Sequence, residues 1–118
     1  NLNNNNINFY IIKYIIKIKY IIYNEDEELD LSNSILFFSA GFCSPCKKIE
    51  PVVKKIFEDN DDIKIYKINI ENMDDYPEEI NDYDVKSIPY FVYVKNNEKK
   101  KTYQGTNCLN IENLIENE

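Results

Sequence analysis

Three amino acids are missing from this chain of 118 residues: arginine, histidine and tryptophan. Without histidine there is no Ser-His-Asp or Cys-His catalysis, and no metal site with imidazole ligands. Without arginine there is no bidentate clamp for phosphate or carboxylate groups. All 14 basic residues are therefore lysines, and they stand against 21 acidic residues, for a net charge of −7. That balance disfavours nucleic acid as a partner.

The length and the uneven charge indicate one domain preceded by a segment of a different kind. A chain of 118 residues is one domain with room for a sizeable core. Residues 1–24 contain three lysines and no acidic residue, whereas the rest of the chain contains 11 lysines and 21 acidic residues. We therefore assign residues 1–16 to an N-terminal extension and residues 17–118 to the domain.

The extension begins with an Asn-rich run that is typical of disorder and continues into an apolar stretch with interspersed lysines. Three lysines in residues 9–23 argue against a membrane-spanning helix. The stretch is either the tail of a targeting segment or a membrane-surface helix, or its second half is the first strand of the domain. Because the chain begins with Asn rather than Met, we expect a processed product that is secreted or organellar rather than cytoplasmic. The extension is then a candidate contact for a protein complex or a membrane surface.

Apolar residues alternate along the domain in patterns typical of strands and helices. Residues 35–40 are a continuous apolar run, as in a strand buried on both faces, and a helical spacing with lysines opposite follows Cys46. The predicted order is a strand in 17–23, a short helix or turn in 24–34, a strand in 35–40, a helix from Cys46, a strand in 63–70, an acidic helical or loop stretch in 71–83, a strand after Pro89, a turn at Asn96-Asn97 with a hairpin partner in 99–103, and a helix in 110–118. This order implies an α/β fold with a central mixed sheet of four to five strands and helices on both faces.

One motif carries chemistry: Cys43-Ser44-Pro45-Cys46, between the strand of residues 35–40 and the helix after it. Two cysteines three positions apart can close a small disulfide ring. The dipole and free N–H groups of the helix N-terminus stabilise a thiolate at Cys43. Cys46, one turn further on, is sheltered and can attack a mixed disulfide that Cys43 forms with a substrate. Pro45 restricts the turn without removing an N–H group that the helix needs.

Other interpretations of the motif are weaker. A zinc site needs four ligands, and the only further cysteine is Cys108. A purely structural disulfide gains little from so short a loop. A site that has lost its redox activity is the remaining alternative.

Two stretches of the sequence resemble the signatures of the thioredoxin family. Residues 37–51, FFSAGFCSPCKKIEP, are similar to its active-site stretch, and residues 87–91, SIPYF, are similar to its second signature. The resemblance implies a thioredoxin fold in which Cys43 attacks, Cys46 resolves, and Ile88 and Pro89 shape the substrate groove. It also implies a cis Ile88–Pro89 peptide bond, with the proline packed against the dithiol.

The resemblance extends over the whole domain. Residues 67–71 are similar to the family's third strand, which implies that Lys67 lies near the active site. Residues 103–105 are similar to its last strand, which implies that Gly105 lines the substrate groove.

The sequence departs from the family pattern at four positions. Phe42 replaces the usual Trp but still supplies an apolar contact, and Ser44 replaces Gly. Phe37 stands where thioredoxins have a buried Asp that assists deprotonation of the second thiol. We therefore expect Lys67 to lack its usual partner and to point elsewhere or titrate abnormally. Tyr90 is bulkier than the usual Thr and is expected to alter substrate choice.

These features predict a thiol–disulfide oxidoreductase that reduces protein disulfides and carries electrons on its own cysteines, without a bound cofactor or metal. The resemblance implies a thioredoxin-reductase-type electron donor. Two alternatives remain: a disulfide oxidase or isomerase of a secretory compartment, and an interaction subunit of a larger assembly. Cys108 is interpreted as a small, partly buried residue, with a regulatory thiol as the alternative.

Overall fold

A computed structural model describes residues 19–115, so the predictions for the extension, residues 1–16, lie outside the described residues. The described chain forms one five-stranded sheet in the order β1-β3-β2-β4-β5. The strands are β1 (Tyr20–Ile22), β2 (Asn33–Ser39), β3 (Lys64–Asn69), β4 (Tyr90–Lys95) and β5 (Glu98–Gln104). The helices are α1 (Ser44–Ile56), α2 (Glu78–Asn81) and α3 (Cys108–Glu112), with 3₁₀ segments at Ile70–Asp75 and Asn113–Ile115.

The sheet is mixed, as the sequence predicts. Strands β1, β3 and β2 run parallel, β4 pairs antiparallel with β2, and β5 pairs antiparallel with β4. Strand β2 lies in the centre because its apolar side chains point alternately to the two faces of the sheet and are buried on both. Ile35 and Phe37 belong to the core on one face, and Leu36 and Phe38 to the core on the other.

Helices cover both faces of the sheet, which confirms the predicted layering. The first core includes Ile49 and Val53 from α1 and Ile111 from α3. The second core includes Tyr76 and Ile80, which come from the segment between β3 and β4. The sheet separates the two cores. Successive side chains along β2 or β3 therefore point alternately into one core and into the other.

The β4–β5 hairpin turns at the predicted asparagines. Asn96 and Asn97 have φ angles of 53° and 64°, the left-handed conformation that asparagine tolerates better than most residues. Their N–H groups donate to the carbonyls of Ser32 and Leu31, which ties the hairpin to the start of β2.

Residues 24–34, predicted as a short helix or turn, contain a turn ahead of β2, because their side chains satisfy the backbone locally: Asn24 and Asp30 accept from N–H groups two residues on. One predicted element differs from the structure. The final helix begins earlier than predicted, at Cys108, where Asn107 caps it, and gives way to a 3₁₀ turn after Glu112. Between residues 19 and 115, no helix is both long and apolar enough to span a membrane.

Lys19 fixes the first strand to the end of α1, a contact the sequence did not predict. The ammonium group is buried, and it donates to three carbonyls beyond the helix end and lies 3.5 Å from the Asp61 carboxylate. The three carbonyls belong to Phe57, Glu58 and Asn60. A cation near the C-terminal end of a helix interacts favourably with the helix dipole, and here it also binds carbonyls of the loop that follows.

Candidate active site at the Cys43–Cys46 disulfide

The two motif cysteines are joined by a disulfide at the N-terminus of α1. Strand β2 ends at Ser39, the chain turns, and Cys43 is the N-cap residue of the helix. The Cα atoms of Cys43 and Cys46 are 5.3 Å apart. The turn is closed by the Cys43 N–H group, which donates to the Ala40 carbonyl at 3.1 Å.

The helix directs the Cys46 N–H group at the Cys43 sulfur. The Cys46 N–H group donates to the Cys43 Sγ at 3.2 Å, so the sulfur acts as the cap of the helix. No acidic residue stands in the first turn, and Lys47 follows directly. Negative charge on the Cys43 sulfur is therefore stabilised by the N–H groups and by the helix dipole.

Access to the disulfide is restricted. Cys43 is 6% exposed and Cys46 only 2%, whereas the neighbouring Phe42 is 73% exposed. A partner that reaches the disulfide therefore meets the edge of Cys43 first and lies against the Phe42 ring. Phe42 is thus apolar and exposed beside the disulfide, and its role as a contact surface stays a prediction.

The second predicted signature joins the last strand next to the disulfide. The Ile88–Pro89 peptide bond is cis, and Pro89 is buried. Ile88 packs against the core that contains both cysteines. The Gly105 N–H group donates to the Pro89 carbonyl at 3.1 Å, so the two predicted groove residues are linked through their backbones.

Gly105 is needed at its position for two reasons. Its φ angle is +141°, which side chains rarely adopt. A Cβ atom there would lie 2.6 Å from the Tyr103 hydroxyl oxygen, which is itself held by the Asn107 N–H group. A side chain at 105 would therefore displace the tyrosine.

A cavity of about 470 Å³ lies beside residues 44 and 45 of the motif. It is lined by Ser44, Pro45, Lys48, Ile49 and Thr106. The residues between the two cysteines and the residue after Gly105 therefore share one surface beside the disulfide.

Lys67 has a partner that the sequence analysis did not foresee. Its Nζ atom lies 3.1 Å from Glu50 Oε2 and 3.2 Å from Oε1, and both side chains are mostly buried. Phe37 offers Lys67 no partner, as expected, and the lysine pairs with Glu50 instead. Lys67 is the register neighbour of Phe37, so its side chain emerges on the face of the sheet that α1 covers, within reach of Glu50.

Glu50 is further held by Tyr20, whose hydroxyl donates to Glu50 Oε2 at 2.6 Å. Burial opposes ionisation of Glu50, but the hydrogen bonds from Tyr20 and Lys67 and the charge of Lys67 outweigh it, so its pKa lies below the ordinary value. Burial and the Glu50 carboxylate raise the pKa of the Tyr20 hydroxyl. One sequence signal could have identified Glu50: it is the only acidic residue in α1, among four lysines.

A cavity of about 270 Å³ joins this ion pair to the disulfide. Its walls include Cys46 and Lys47 at the start of α1, Glu50 one turn later, and Lys67 from β3. Ala40 and Gly41 close it at the end of β2. Cys46 and Glu50 therefore share one enclosed space.

The position of the family's buried Asp is fully apolar here. Phe37 is completely buried and stacks on Phe91, with ring centroids 4.8 Å apart and planes 10° from parallel. Phe91 in turn faces Tyr103 at 6.4 Å. The three rings lie on adjacent strands in one row of the sheet.

Cys108 differs from its prediction. It is exposed, not partly buried, because α3 turns Ile111 rather than its first residue towards the core. Within residues 19–115, no group of three or more cysteine or acidic side chains is arranged to hold a metal ion.

Comparisons with known proteins agree with this geometry. The family model described as Thioredoxin matches residues 22–117. The thioredoxin of Rickettsia typhi is 39% identical over 83 residues, 70% of this chain and 75% of the relative. The thioredoxin of Ophiophagus hannah is 34% identical over 91 residues, 73% of this chain and 84% of the relative.

A solved structure gives the same result for the fold. The thioredoxin of Schistosoma mansoni superposes with a TM-score of 0.68 at 26% identity, over 84% of this chain and 94% of that one. The range matched by the family model includes Cys43, Cys46, Pro89 and Gly105.

Proposed function

The chain belongs to the thioredoxin family and is a thiol–disulfide oxidoreductase, and from this premise we propose that it reduces protein disulfides by dithiol exchange through Cys43 and Cys46. The observation that carries the proposal is the position of the Cys43 sulfur at the N-terminus of α1. It accepts a hydrogen bond from the Cys46 N–H group and is bonded to the Cys46 sulfur. The named relatives support the reducing direction, and so does the lack of a histidine between the two cysteines.

In the first step, Cys43 is the nucleophile. In the reduced protein its thiolate attacks one sulfur of a substrate disulfide, forms a mixed disulfide and releases the other substrate sulfur as a thiolate. The N–H groups of α1 stabilise the attacking thiolate, and the position of Cys43 beside the exposed Phe42 makes it the sulfur that a substrate reaches first.

In the second step, Cys46 resolves the mixed disulfide. Its thiolate attacks the Cys43 sulfur, the Cys43–Cys46 bond forms, and the second substrate thiolate leaves. One substrate disulfide is thereby reduced to two thiols while the two protein thiols become one disulfide. The shelter of Cys46 beneath Cys43 protects it from external disulfides and directs it to this internal reaction.

The substrate groove is assigned to the surface around the disulfide. Phe42 supplies its apolar wall, Ser44 and Pro45 one side, and Ile88, Pro89 and Gly105 the other, with Lys67 as a support behind Cys46. The cavity next to Pro45 and Thr106 and the hydrogen bond between Gly105 and Pro89 support this assignment.

The family implies protein disulfides as substrates and a reductase-type enzyme as the electron donor. Thioredoxins carry the two electrons on the cysteine pair itself, so the exchange chemistry calls for no separate cofactor.

The reduction potential of the Cys43–Cys46 pair tests the direction of transfer. We expect a value near about −270 mV, measured by alkylation and mass spectrometry in defined redox buffers, because the chemistry proposed is that of a reductant. The Cys108→Ser variant is the control, and it should give the same value because the exposed Cys108 is outside the pair.

Two other results would point to the alternative functions. A potential between about −180 and −120 mV would assign the protein to the oxidases or isomerases. Failure to form a reversible disulfide at any redox poise would leave the interaction subunit as the better account.

A further inference from the structure

We propose that the Glu50 carboxylate accepts the proton of the Cys46 thiol during the resolving step, from its place one turn along α1 and within the same cavity. This inference deepens the proposed function, because it takes Cys46 as the resolving thiol. Deprotonation of Cys46 is thereby assigned to a residue of α1, because β2 has the apolar Phe37 where an acidic group could have served.

The geometry places donor and acceptor together. Residues four apart on a helix lie on the same face, with Cβ atoms about 5–6 Å apart. Cys46 and Glu50 have this spacing, and both line the cavity of about 270 Å³. Among the described residues that line it, Glu50 is the only carboxylate. The cavity holds polar groups from Lys67, Asn69 and Tyr76 and is large enough for a water molecule to relay the proton.

The carboxylate is held in position from the opposite side. Tyr20 and Lys67 both contact Glu50 Oε2, and Lys67 also reaches Oε1 at 3.2 Å. These two partners come from β1 and β3, so the carboxylate is fixed relative to the sheet as well as to the helix. The ionisable groups around it are Tyr20, Tyr23, Lys47, Lys54, Lys67 and Tyr76.

Glu50 is ionised and accepts a proton only transiently, because the hydrogen bonds that lower its pKa also make it a weaker base. The hydrogen bonds from Tyr20 and Lys67 prevail over burial, so the pKa of Glu50 lies below its ordinary value and the group is ionised at neutral pH. A thiol, by contrast, is mostly protonated at neutral pH, with an ordinary pKa of about 8.5. The thiol therefore needs an acceptor before it can attack.

The step balances as follows. The Cys46 thiol gives its proton to Glu50, the resulting thiolate attacks the Cys43 sulfur, and the bond between Cys43 and the substrate sulfur breaks. The electron pair leaves with the substrate thiolate, which takes up the proton from Glu50 or from solvent. Glu50 returns to its ionised form and remains paired with Lys67.

Stopped-flow kinetics separate the two steps. The full reduced chain is mixed with an aromatic disulfide whose released thiolate is coloured. The first phase reports attack by Cys43 and the second reports release by Cys46. In Glu50→Gln we expect the second phase to slow by about 100-fold at pH 7 while the first phase stays within about twofold. The deficit should shrink as the pH approaches the ordinary thiol pKa, because hydroxide then replaces the carboxylate.

Two further variants complete the comparison. Glu58→Gln removes an exposed carboxylate just after α1, where it pairs with Lys55, and both phases should keep wild-type rates. Glu50→Asp retains the carboxylate and should recover much of the second phase. Equal second phases in wild type and Glu50→Gln at every pH would overturn the inference, and so would equal slowing of both phases.

The outcomes separate this inference from the function on which it rests. A wild-type protein without a second phase would mean that Cys46 does not resolve, so the proposed function itself would fail. Should Glu50→Gln not fold, ¹³C NMR titration of the Glu50 carboxyl in the reduced wild-type chain decides. A second step in its chemical shift that is lost in Cys46→Ser supports coupling to the thiol, and a single step in both proteins refutes it.

Discussion

At the scale of the residue, Phe42 is the most conspicuous feature beside the disulfide. A phenyl ring left 73% exposed next to a buried sulfur pair has no role in the core of the described domain. Burial of such a ring against a partner is worth about 1.5–3 kcal/mol. We therefore expect the ring to contribute to substrate affinity rather than to folding.

Replacement of Phe42 by alanine tests this division. We expect KM for a protein disulfide to rise about tenfold, which corresponds to ~1.4 kcal/mol of lost contact, while the rate with a small aromatic disulfide and the urea midpoint stay unchanged. Val52→Ala, a partly exposed apolar residue further along α1, is the matched control and should leave KM unaltered. An unchanged KM in Phe42→Ala would remove Phe42 from the substrate groove.

At the scale of the element, the link between β1 and the end of α1 holds the sheet edge in place. Strand β1 has only three residues and pairs with β3 alone, so the sheet binds it weakly by itself. Lys19 adds hydrogen bonds to the carbonyls that end α1. The same strand contributes Tyr20, which contacts Glu50, so the position of β1 also affects the active-site cavity.

We expect Lys19→Met to lower the free energy of unfolding by about 1–3 kcal/mol, because it removes a buried cation that hydrogen-bonds the carbonyls after α1 and interacts with the helix dipole. Urea unfolding measures the change. Lys55→Met removes an exposed lysine from the last turn of the same helix and should stay within about 0.5 kcal/mol of wild type. Equal losses in both variants would show that Lys19 contributes no more than a surface charge.

The limits of prediction from sequence follow from the range of each interaction. The motif at residues 43–46 and the turn at Asn96 and Asn97 were predicted because neighbours in sequence determine them. The pairing of Lys67 with Glu50 was not, since it depends on how α1 crosses the sheet. The same applies to Lys19 and the carbonyls after α1. Cys108 was misjudged because its exposure depends on which face of α3 meets the core.

At the scale of the whole molecule, the division into an extension and a domain stays a prediction. The net charge of −7 conceals three lysines and no acid in residues 1–24. The two parts of the chain therefore have opposite charge, which is consistent with separate roles.

Removal of residues 1–16 tests this division. We expect the shortened chain to keep its urea midpoint, its disulfide-reducing activity and its elution as a single species in size-exclusion chromatography. Removal of residues 1–23, which takes away Lys19 and β1, is the comparison and should lower the midpoint. Two results together would instead favour the interaction subunit. One is that removal of residues 1–16 converts a larger assembly into a monomer, and the other is that Cys43→Ser leaves that assembly intact.

The placement of Cys43, Cys46 and Glu50 on one helix has a consequence for protein engineering. All three lie within eight consecutive residues, 43–50, whose mutual spacing is set by the helix itself and not by the sheet. A host with a parallel strand, a lysine facing the helix and an apolar residue at the position of Phe37 would therefore receive the nucleophile, the resolving thiol and its proton acceptor in a single graft.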